Sequence, residues 1–366
     1  MNIPLPRQDV LLPNEHERKQ IFYWLKQVSS WTAWNRILGY YKAWADAAEQ
    51  SVRAADNAGI LEKSTILYDD YVYILKGLAH CEEGVRRLRK GDKRVFQYNA
   101  HGEFAMAGRA PDYWHAGIWG RGEMGIDYER TPHWEEFECT LKKFNAASGE
   151  CSVDILESDD LDAAAPFSYG PWIHEWKSKI WFPDSLSDVP NPTDDVLVRT
   201  GKPIPCSGIW EPVDAPKPKG FSLFKQPPPR GPFPIIGCMN YLHGGSPAPR
   251  ATQRTADSEE LHHVDVTWRL LWRDDRYEDG SIPEEERDYR FLQPGPINPP
   301  QPTPLTTKQS EVLAGVPSGQ PCPRTGYWLT PARADSRRHF ERGELMPDLR
   351  SDYGATIWQW DSRQAD

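Results

Sequence analysis

Prolines divide this chain. None occurs between Asn14 and Ala110, although the whole sequence of 366 residues holds 34. Proline fixes φ and removes a backbone donor, so it is kept out of helix interiors. The proline-free stretch can sustain long helices, whereas the remainder must be built from shorter elements and loops. Asn14-Glu15-His16-Glu17 reads as a helix start, with Asn14 as cap and Glu17 reaching back. Ile21, Trp24, Leu25 and Val28 then recur at helical spacing. A second, longer helix follows Ser29-Ser30, with Trp34, Leu38, Tyr41 and Ala45 on one face and Gly59 at its end. A third is expected from about Ser64 to Leu88, with Leu67, Tyr71, Ile74, Leu75, Leu78 and Val85 inward. It runs into a basic cluster, Arg86, Arg87, Arg89, Lys90, Lys93 and Arg94. Dipole complementation at a helix C-terminus explains that cluster better than a phosphate site, because no aromatics are interleaved with it.

After Tyr98 glycine, proline and tryptophan dominate and long helical periods fade. Residues 144–159 read as turn, strand, turn, with an acidic loop at Glu157-Ser158-Asp159-Asp160-Leu161-Asp162. Trp172, Trp176 and Trp181 fit either a short helix or a strand pair. Residues 238–242 read as a strand. Residues 263–272 form the clearest one, with Val264, Val266, Trp268, Leu270 and Trp272 on one face and Tyr289-Arg290-Phe291 as its return. Proline-rich connections are expected around 183–234, including Pro227-Pro228-Pro229, and around 294–304. The predicted fold is α+β. An N-terminal antiparallel bundle of about three helices occupies residues 1–98, and a larger Trp/Pro/Gly-rich antiparallel β region occupies 99–366.

One pattern recurs: Gly117-Ile118-Trp119, Gly208-Ile209-Trp210 and Gly326-Tyr327-Trp328. The second and third follow a glycine, a proline and a cysteine (Gly201, Pro203, Cys206; Gly319, Pro321, Cys322). A tight turn delivering a strand with an inward tryptophan would give this pattern, and its context suggests a duplicated β-unit. The irregular spacing excludes a solenoid.

Charge is uneven. Residues 1–98 hold 15 Lys+Arg against 12 Asp+Glu, and the rest hold 28 against 41. The acidic part makes a nucleic-acid partner unlikely to be held there. No signal peptide and no membrane span are legible, so a cytoplasmic protein is expected. The six cysteines (Cys81, Cys139, Cys151, Cys206, Cys238, Cys322) are scattered and fit free thiols.

Candidate chemistry is thin. His243-Gly244-Gly245 resembles an oxyanion-loop sequence, but no G-x-S-x-G elbow accompanies it, and a turn after a strand suffices. His262, His263 and Asp265 offer too few ligands for a metal. Cys322, between two prolines, fits a structural role. Glu123, Asp127, Glu129, Glu135 and Glu136 stand among Trp114, Trp119, Tyr128 and Trp134, the residue types of a carbohydrate hydrolase. No P-loop, dinucleotide fingerprint or H-E-x-x-H is present. Catalytic, cofactor and metal residues are therefore expected to be none. Aromatic and arginine residues near turns have interface composition. Trp119, Tyr128, Glu129, Arg130, Trp210, Arg337, Arg338 and Glu344 are the partner-binding candidates.

The closing stretch, 319–361, carries the most specific string: Cys322-Pro323-Arg324-Thr325-Gly326-Tyr327-Trp328, then Ser336-Arg337-Arg338, Phe340, Gly343-Glu344, Met346-Pro347 and Gly354-Ala355-Thr356-Ile357-Trp358. It resembles the closing motif of bacterial immunity proteins from polymorphic toxin systems, those called immunity protein 71 and immunity protein 72. The tryptophan-bearing helices between Tyr23 and Trp44 agree. So does Thr267-Trp268-Arg269-Leu270-Leu271-Trp272 followed by Asp279-Gly280. The resemblance implies an antitoxin that neutralises a cognate secreted toxin, often one delivered by type VI secretion, through protein–protein contact. It brings no catalytic residue and no cofactor. The expected partner is the toxin domain, with no nucleic acid and no membrane; self-association into a homo-oligomer is left open. The alternatives are the carbohydrate hydrolase built near Trp119 and an adaptor or chaperone that loads an effector.

Overall fold

The computed structural model describes residues 10–98, 102–120, 125–160, 163–216, 231–255, 260–292, 315–330, 336–349, 356–361 and 364, with the backbone alone at 119–120 and 193–195. Five long helices come first among them: α1 (Glu15–Val28), α2 (Trp31–Asn57), α3 (Tyr68–Leu88), α4 (Glu103–His115) and α5 (Trp134–Ile155). Antiparallel strands follow, so the fold is α+β as expected, with helices beyond the first three. The chain forms two compact units. The first is drawn from Met1–Trp34, Leu88–His101 and Ser148–Pro294, the second from Asn35–Arg87, Gly102–Ala147 and Gly295–Asp366.

Local chemistry sets the helix ends. Asn14 Oδ1 accepts from the Glu17 N–H at 3.0 Å, and Glu17 Oε2 accepts from the Asn14 N–H at 2.9 Å. This capping box satisfies two donors that a helix start leaves unpaired. Ser30 Oγ accepts from the Ala33 N–H at 3.1 Å and so opens α2. Gly59 follows that helix at φ +67°, a conformation glycine adopts freely. Leu67, expected inward, is exposed. It precedes the first turn of α3, where its N–H meets Asp70 Oδ2 at 2.9 Å.

Residues 144–159 are not turn, strand, turn: they are the second half of α5 and its exit. Trp134, Phe137, Leu141, Phe144, Ala147, Cys151 and Ile155 are all buried, at steps of three or four. Gly117-Ile118-Trp119 likewise leads to no strand, because it lies in a π-helical turn, Ala116–Gly120, that continues α4. Another π-helical turn, Trp172–Trp176, decides the open choice there for helix, with Trp181 beyond it in irregular chain.

The first unit holds β1 (Thr193–Arg199), β2 (Gly208–Val213), β3 (Asn240–Leu242), β4 (Ala251–Arg254), β5 (Leu261–Val264) and β6 (Thr267–Arg273). Four of them pair antiparallel in the order β1-β6-β2-β3, and β4-β5 is a separate ladder. Both β1 and β2 lie inside the stretch 183–234, expected as connection. Proline is tolerated there because Pro203 and Pro205 fall between strands, while Pro212 supplies its carbonyl to the Ile236 N–H at 3.1 Å. Residues 217–230, with Pro227-Pro228-Pro229, and residues 294–304 lie outside the described part.

The single strand expected at 263–272 is two strands. The chain changes ladders at Asp265 and Val266, and the Val266 N–H donates to Thr200 Oγ1 at 3.0 Å. Trp210 pairs with Leu270, but Ile209 pairs with Trp272, so β6 carries an extra residue. Trp210, Trp268 and Leu270 share one core with Val266 and Leu242. The bulge turns Trp272 away from them, against the expectation, and its ring meets Phe22 edge-on at 6.3 Å. Tyr289-Arg290-Phe291 is irregular chain rather than a return strand. It follows a 3-10 turn, Glu284–Asp288.

In the second unit, Tyr41 packs edge-on to Phe144 at 4.7 Å and Trp44 stacks on Phe144 at 6.1 Å. Its strands are β7 (Val316–Pro317), β8 (Gly326–Leu329), β9 (Arg338–Phe340) and β10 (Ile357–Trp360), paired in the order β7-β10-β8-β9. That order repeats β1-β6-β2-β3, down to single hydrogen bonds. Gly201 N–H donates to the Ala248 carbonyl at 2.8 Å, and Gly319 N–H to the Met346 carbonyl at 2.7 Å. Gly245 N–H reaches the Ile204 carbonyl, and Gly343 N–H the Cys322 carbonyl, both at 2.7 Å. Trp268 Nε1 donates to the Pro249 carbonyl at 2.8 Å, and Trp358 Nε1 to the Pro347 carbonyl at 2.9 Å. Gly201 and Gly319 share φ +79°. One β-unit is thus built twice, around Trp210 and around Trp328. Cys322 stands in the place of Ile204, so the cysteines flanking the two echoes are not equivalent.

Candidate functional site

The partner-binding candidates fall on three places. Tyr128, Glu129 and Arg130 are exposed on the turn before α5, where Arg130 pairs with Asp127 at 3.3 Å and the Tyr128 ring meets Trp134 at 6.2 Å. Arg337 immediately precedes β9, Arg338 opens it, and Glu344 follows it in the next turn. Arg337 Nε donates to Asp361 Oδ2 at 2.6 Å and its guanidinium covers Tyr327 at 3.9 Å. Arg338 is exposed, 5.1 Å from the Trp358 ring, and Glu344 Oε2 accepts from the Glu341 N–H at 3.0 Å. Trp210 is a correction: it is fully buried in the first β-unit, where its Nε1 reaches the Cys206 carbonyl, so its side chain faces no partner. The Trp119 side chain lies outside the described part, as does Glu123.

The described part of the carboxylate and tryptophan cluster divides between core and surface. Trp114 and Trp134 are buried against each other at 6.3 Å and against Phe137. Glu135 and Glu136 are exposed in the first turn of α5, where acids complement the helix dipole. Trp114 and Trp134 are therefore core and present no ring face beside those two acids. Among the described residues, no group of three or more His, Cys, Asp or Glu is placed to hold a metal. Burial pushes the Cys81 and Cys238 thiols well up, which keeps them protonated and unreactive. Cys322 is buried too, with its Sγ 3.1 Å from the Arg324 carbonyl.

The first unit is braced by buried charge. Glu211, on β2, takes both Arg269 Nε at 3.1 Å and Arg269 Nη2 at 2.8 Å, together with Arg18 from α1. Asp274 takes Arg276 Nη2 at 2.7 Å and the Tyr241 hydroxyl at 2.8 Å, with Lys93 Nζ at 3.4 Å. Burial alone would raise the Asp274 carboxyl, but Arg276 and Lys93 hold it below the usual range. Burial brings the Lys93 ammonium down to about 8 despite Asp274. Most of the basic cluster is therefore used in place: Arg86 pairs with Glu83, Arg87 with Glu103, Arg94 with Asp92.

Where β3 ends, a cleft of about 650 Å³ opens in the first unit. Ile204, Leu242 and Pro249 contribute apolar lining, and the acidic loop after α5 contributes Glu157, Asp159 and Asp160. His243 borders the cleft and is itself buried, near Tyr241 at 5.6 Å and Phe96 at 6.3 Å between ring centroids. Among the described residues neither ring nitrogen makes a well-formed hydrogen bond, and the Ile155 backbone interacts closely enough to pull the imidazole upward. Burial pushes the imidazole below its ordinary value, against the pull of Glu157. Gln97 fixes the turn, donating from Nε2 to the Gly244 carbonyl at 2.9 Å and to Ser246 Oγ at 3.0 Å. Among the described residues His243 bonds no hydroxyl and no carboxylate, so no nucleophile–base–orienter chain runs through it there. The His-Gly-Gly turn and the acidic loop were each legible in the sequence. Their convergence was not, because 81 residues or more separate Asp160 from Leu242 and only the fold brings them together.

Two family models match the chain. Immunity protein 71 matches residues 12–166 and immunity protein 72 matches residues 190–290, so that the two cover most of the sequence. The stretch 319–361 lies beyond both matches, and its strands repeat the β-unit of the second matched region. No curated protein and no solved structure is significantly similar to the chain.

Proposed function

We infer that this chain, which carries an immunity protein 71 region followed by an immunity protein 72 region, is the antidote to a secreted antibacterial toxin of a polymorphic, type VI-delivered kind. It acts in the cytoplasm by stoichiometric contact, and its work is binding rather than catalysis. The observation that carries this reading is the pair of family matches over most of the chain. The packing of Trp114 and Trp134 into core, and a His243 imidazole that bonds no described hydroxyl or carboxylate, support binding over hydrolysis. An exposed tyrosine and arginine on the turn before α5 (Tyr128, Arg130) and an exposed arginine on β9 (Arg338) provide contact chemistry of the kind that dominates interfaces.

A toxin that acts inside the cell, such as a nuclease or a nucleotide-consuming enzyme, suits an antidote that stays there. The test is co-expression of the toxic domain encoded beside this gene, with and without this protein. Restored growth is the expected outcome, and unrelieved toxicity at matched expression would overturn the reading.

A further inference from the structure

In the second unit, the segment that opens α3 and the turn before α5 form one exposed surface, held in place by hydrogen bonds. Leu67, Tyr68 and Tyr128 are 41%, 38% and 53% exposed. Their neighbour Ile66 is fully buried and takes the core side of the segment, which leaves Leu67 and Tyr68 facing out. Two cross-links join the stretches. The Thr65 N–H donates to Thr131 Oγ1 at 2.8 Å, and the Asp127 N–H donates to Thr65 Oγ1 at 3.0 Å. Each stretch is also closed on itself. The Leu67 N–H donates to Asp70 Oδ2 at 2.9 Å, and the Arg130 N–H to the Asp127 carbonyl at 3.2 Å. The rings are braced by other rings: Tyr68 meets Tyr71 at 6.4 Å, and Tyr128 stands at 90° to the buried Trp134.

We propose that this surface, residues 65–69 together with 127–130, is the face that docks the toxin domain; the proposal rests on the reading of this chain as an antidote. Single apolar residues scattered over a surface are ordinary, but a leucine and two tyrosines gathered on two cross-linked stretches make a patch. Tyrosine offers a large amphipathic contact area with few rotors to freeze, which is why it is enriched among binding hot spots. Because the hydrogen bonds already fix the backbone, little freedom remains to be lost on docking. Charge specifies the occupant. Among the described residues around the patch, the exposed carboxylates Glu62, Asp69, Glu129 and Glu135 outnumber the exposed cations Lys63 and Arg130. Arg130 is moreover tied to Asp127 at 3.3 Å. The complementary surface of the toxin is therefore an apolar patch rimmed by lysine or arginine.

The experiment takes the full chain and the purified toxic domain encoded beside this gene, with affinity read by calorimetry. The double variant Tyr68→Ala, Tyr128→Ala should bind about thirtyfold weaker or more. Glu129→Lys leaves both rings in place and should weaken binding about tenfold. Glu284→Lys reverses an exposed charge in the first unit, controls for net charge, and should stay within about twofold. Thermal unfolding checks each fold; because Tyr128 rests on Trp134, Glu129→Lys keeps the test decisive if the double variant unfolds. Hydrogen exchange of the wild-type complex should show protection at 65–69 and 127–130. Wild-type affinity in a folded variant of the face, no protection at those residues, or an equal loss with Glu284→Lys would each overturn the docking face. A chain that binds the toxin and restores growth yet gives one of these results loses the face alone. A chain that binds no toxin loses the antidote reading with it.

Discussion

Asp154 shows how one residue sets a pH dependence. It sits near the end of α5 with its Oδ2 2.9 Å from Trp24 Nε1. Burial raises its carboxyl to about 6, and the Trp24 hydrogen bond only tempers the shift. A raised folded-state value means the native protein binds that proton more tightly than the unfolded chain. The group therefore favours folding below pH ~4, and its contribution fades as pH rises from ~4 through ~6. Asp154→Asn keeps an acceptor for Trp24 and removes the charge. It should raise stability at pH 8 by about 1–3 kcal/mol and flatten the acid-side gain, as read by urea denaturation across pH 4–8. Glu211 differs in its surroundings, since its carboxylate is bonded by both Arg18 and Arg269. Glu211→Ala removes the carboxylate that two buried guanidiniums share and should cost about 3–5 kcal/mol by the same measurement.

At the level of elements, the duplicated β-unit makes its own prediction. Gly208 and Gly326 open β2 and β8 at φ +155° and +152°. A methyl group at 208 would press into the Trp272 backbone carbonyl, while one at 326 would meet the Gln364 side chain and the Trp360 ring. Side chains yield more readily than backbone. Gly208→Ala should therefore be the worse of the two, costing about 3 kcal/mol or more, with Gly326→Ala clearly milder in thermal unfolding. The sequence made much of this level legible. The capping box at Asn14, the glycine stop at Gly59 and the Gly-x-Trp echoes at Trp210 and Trp328 all follow from local chemistry. What stayed hidden depends on partners distant in sequence. The inward row from Trp134 to Ile155 has a helical period, yet Ser148-Gly149 within it and the glycine-rich stretch before it masked it. The bulge that turns Trp272 is set by its pairing with Ile209, which no local pattern encodes. Trp210 has the composition of a hot spot, but the fold uses it as core.

For the whole molecule, the immunity matches and the acidic balance downstream of residue 98 lead to one kinetic prediction. We propose that the toxin domain is basic; long-range charge would then steer it to this acidic chain, and the association rate should fall steeply between about 0.05 and 0.5 M salt, by roughly tenfold or more. A rate that ignores salt would remove the steering while leaving the antidote role. Neutralisation itself is tested by titrating the purified toxin's activity with this protein. Stoichiometric contact predicts that residual activity falls linearly and reaches zero near one equivalent, with active toxin recovered once the complex is dissociated. Toxin that keeps its activity in the presence of excess protein, or that is silenced by a small fraction of an equivalent and stays silenced, would contradict it.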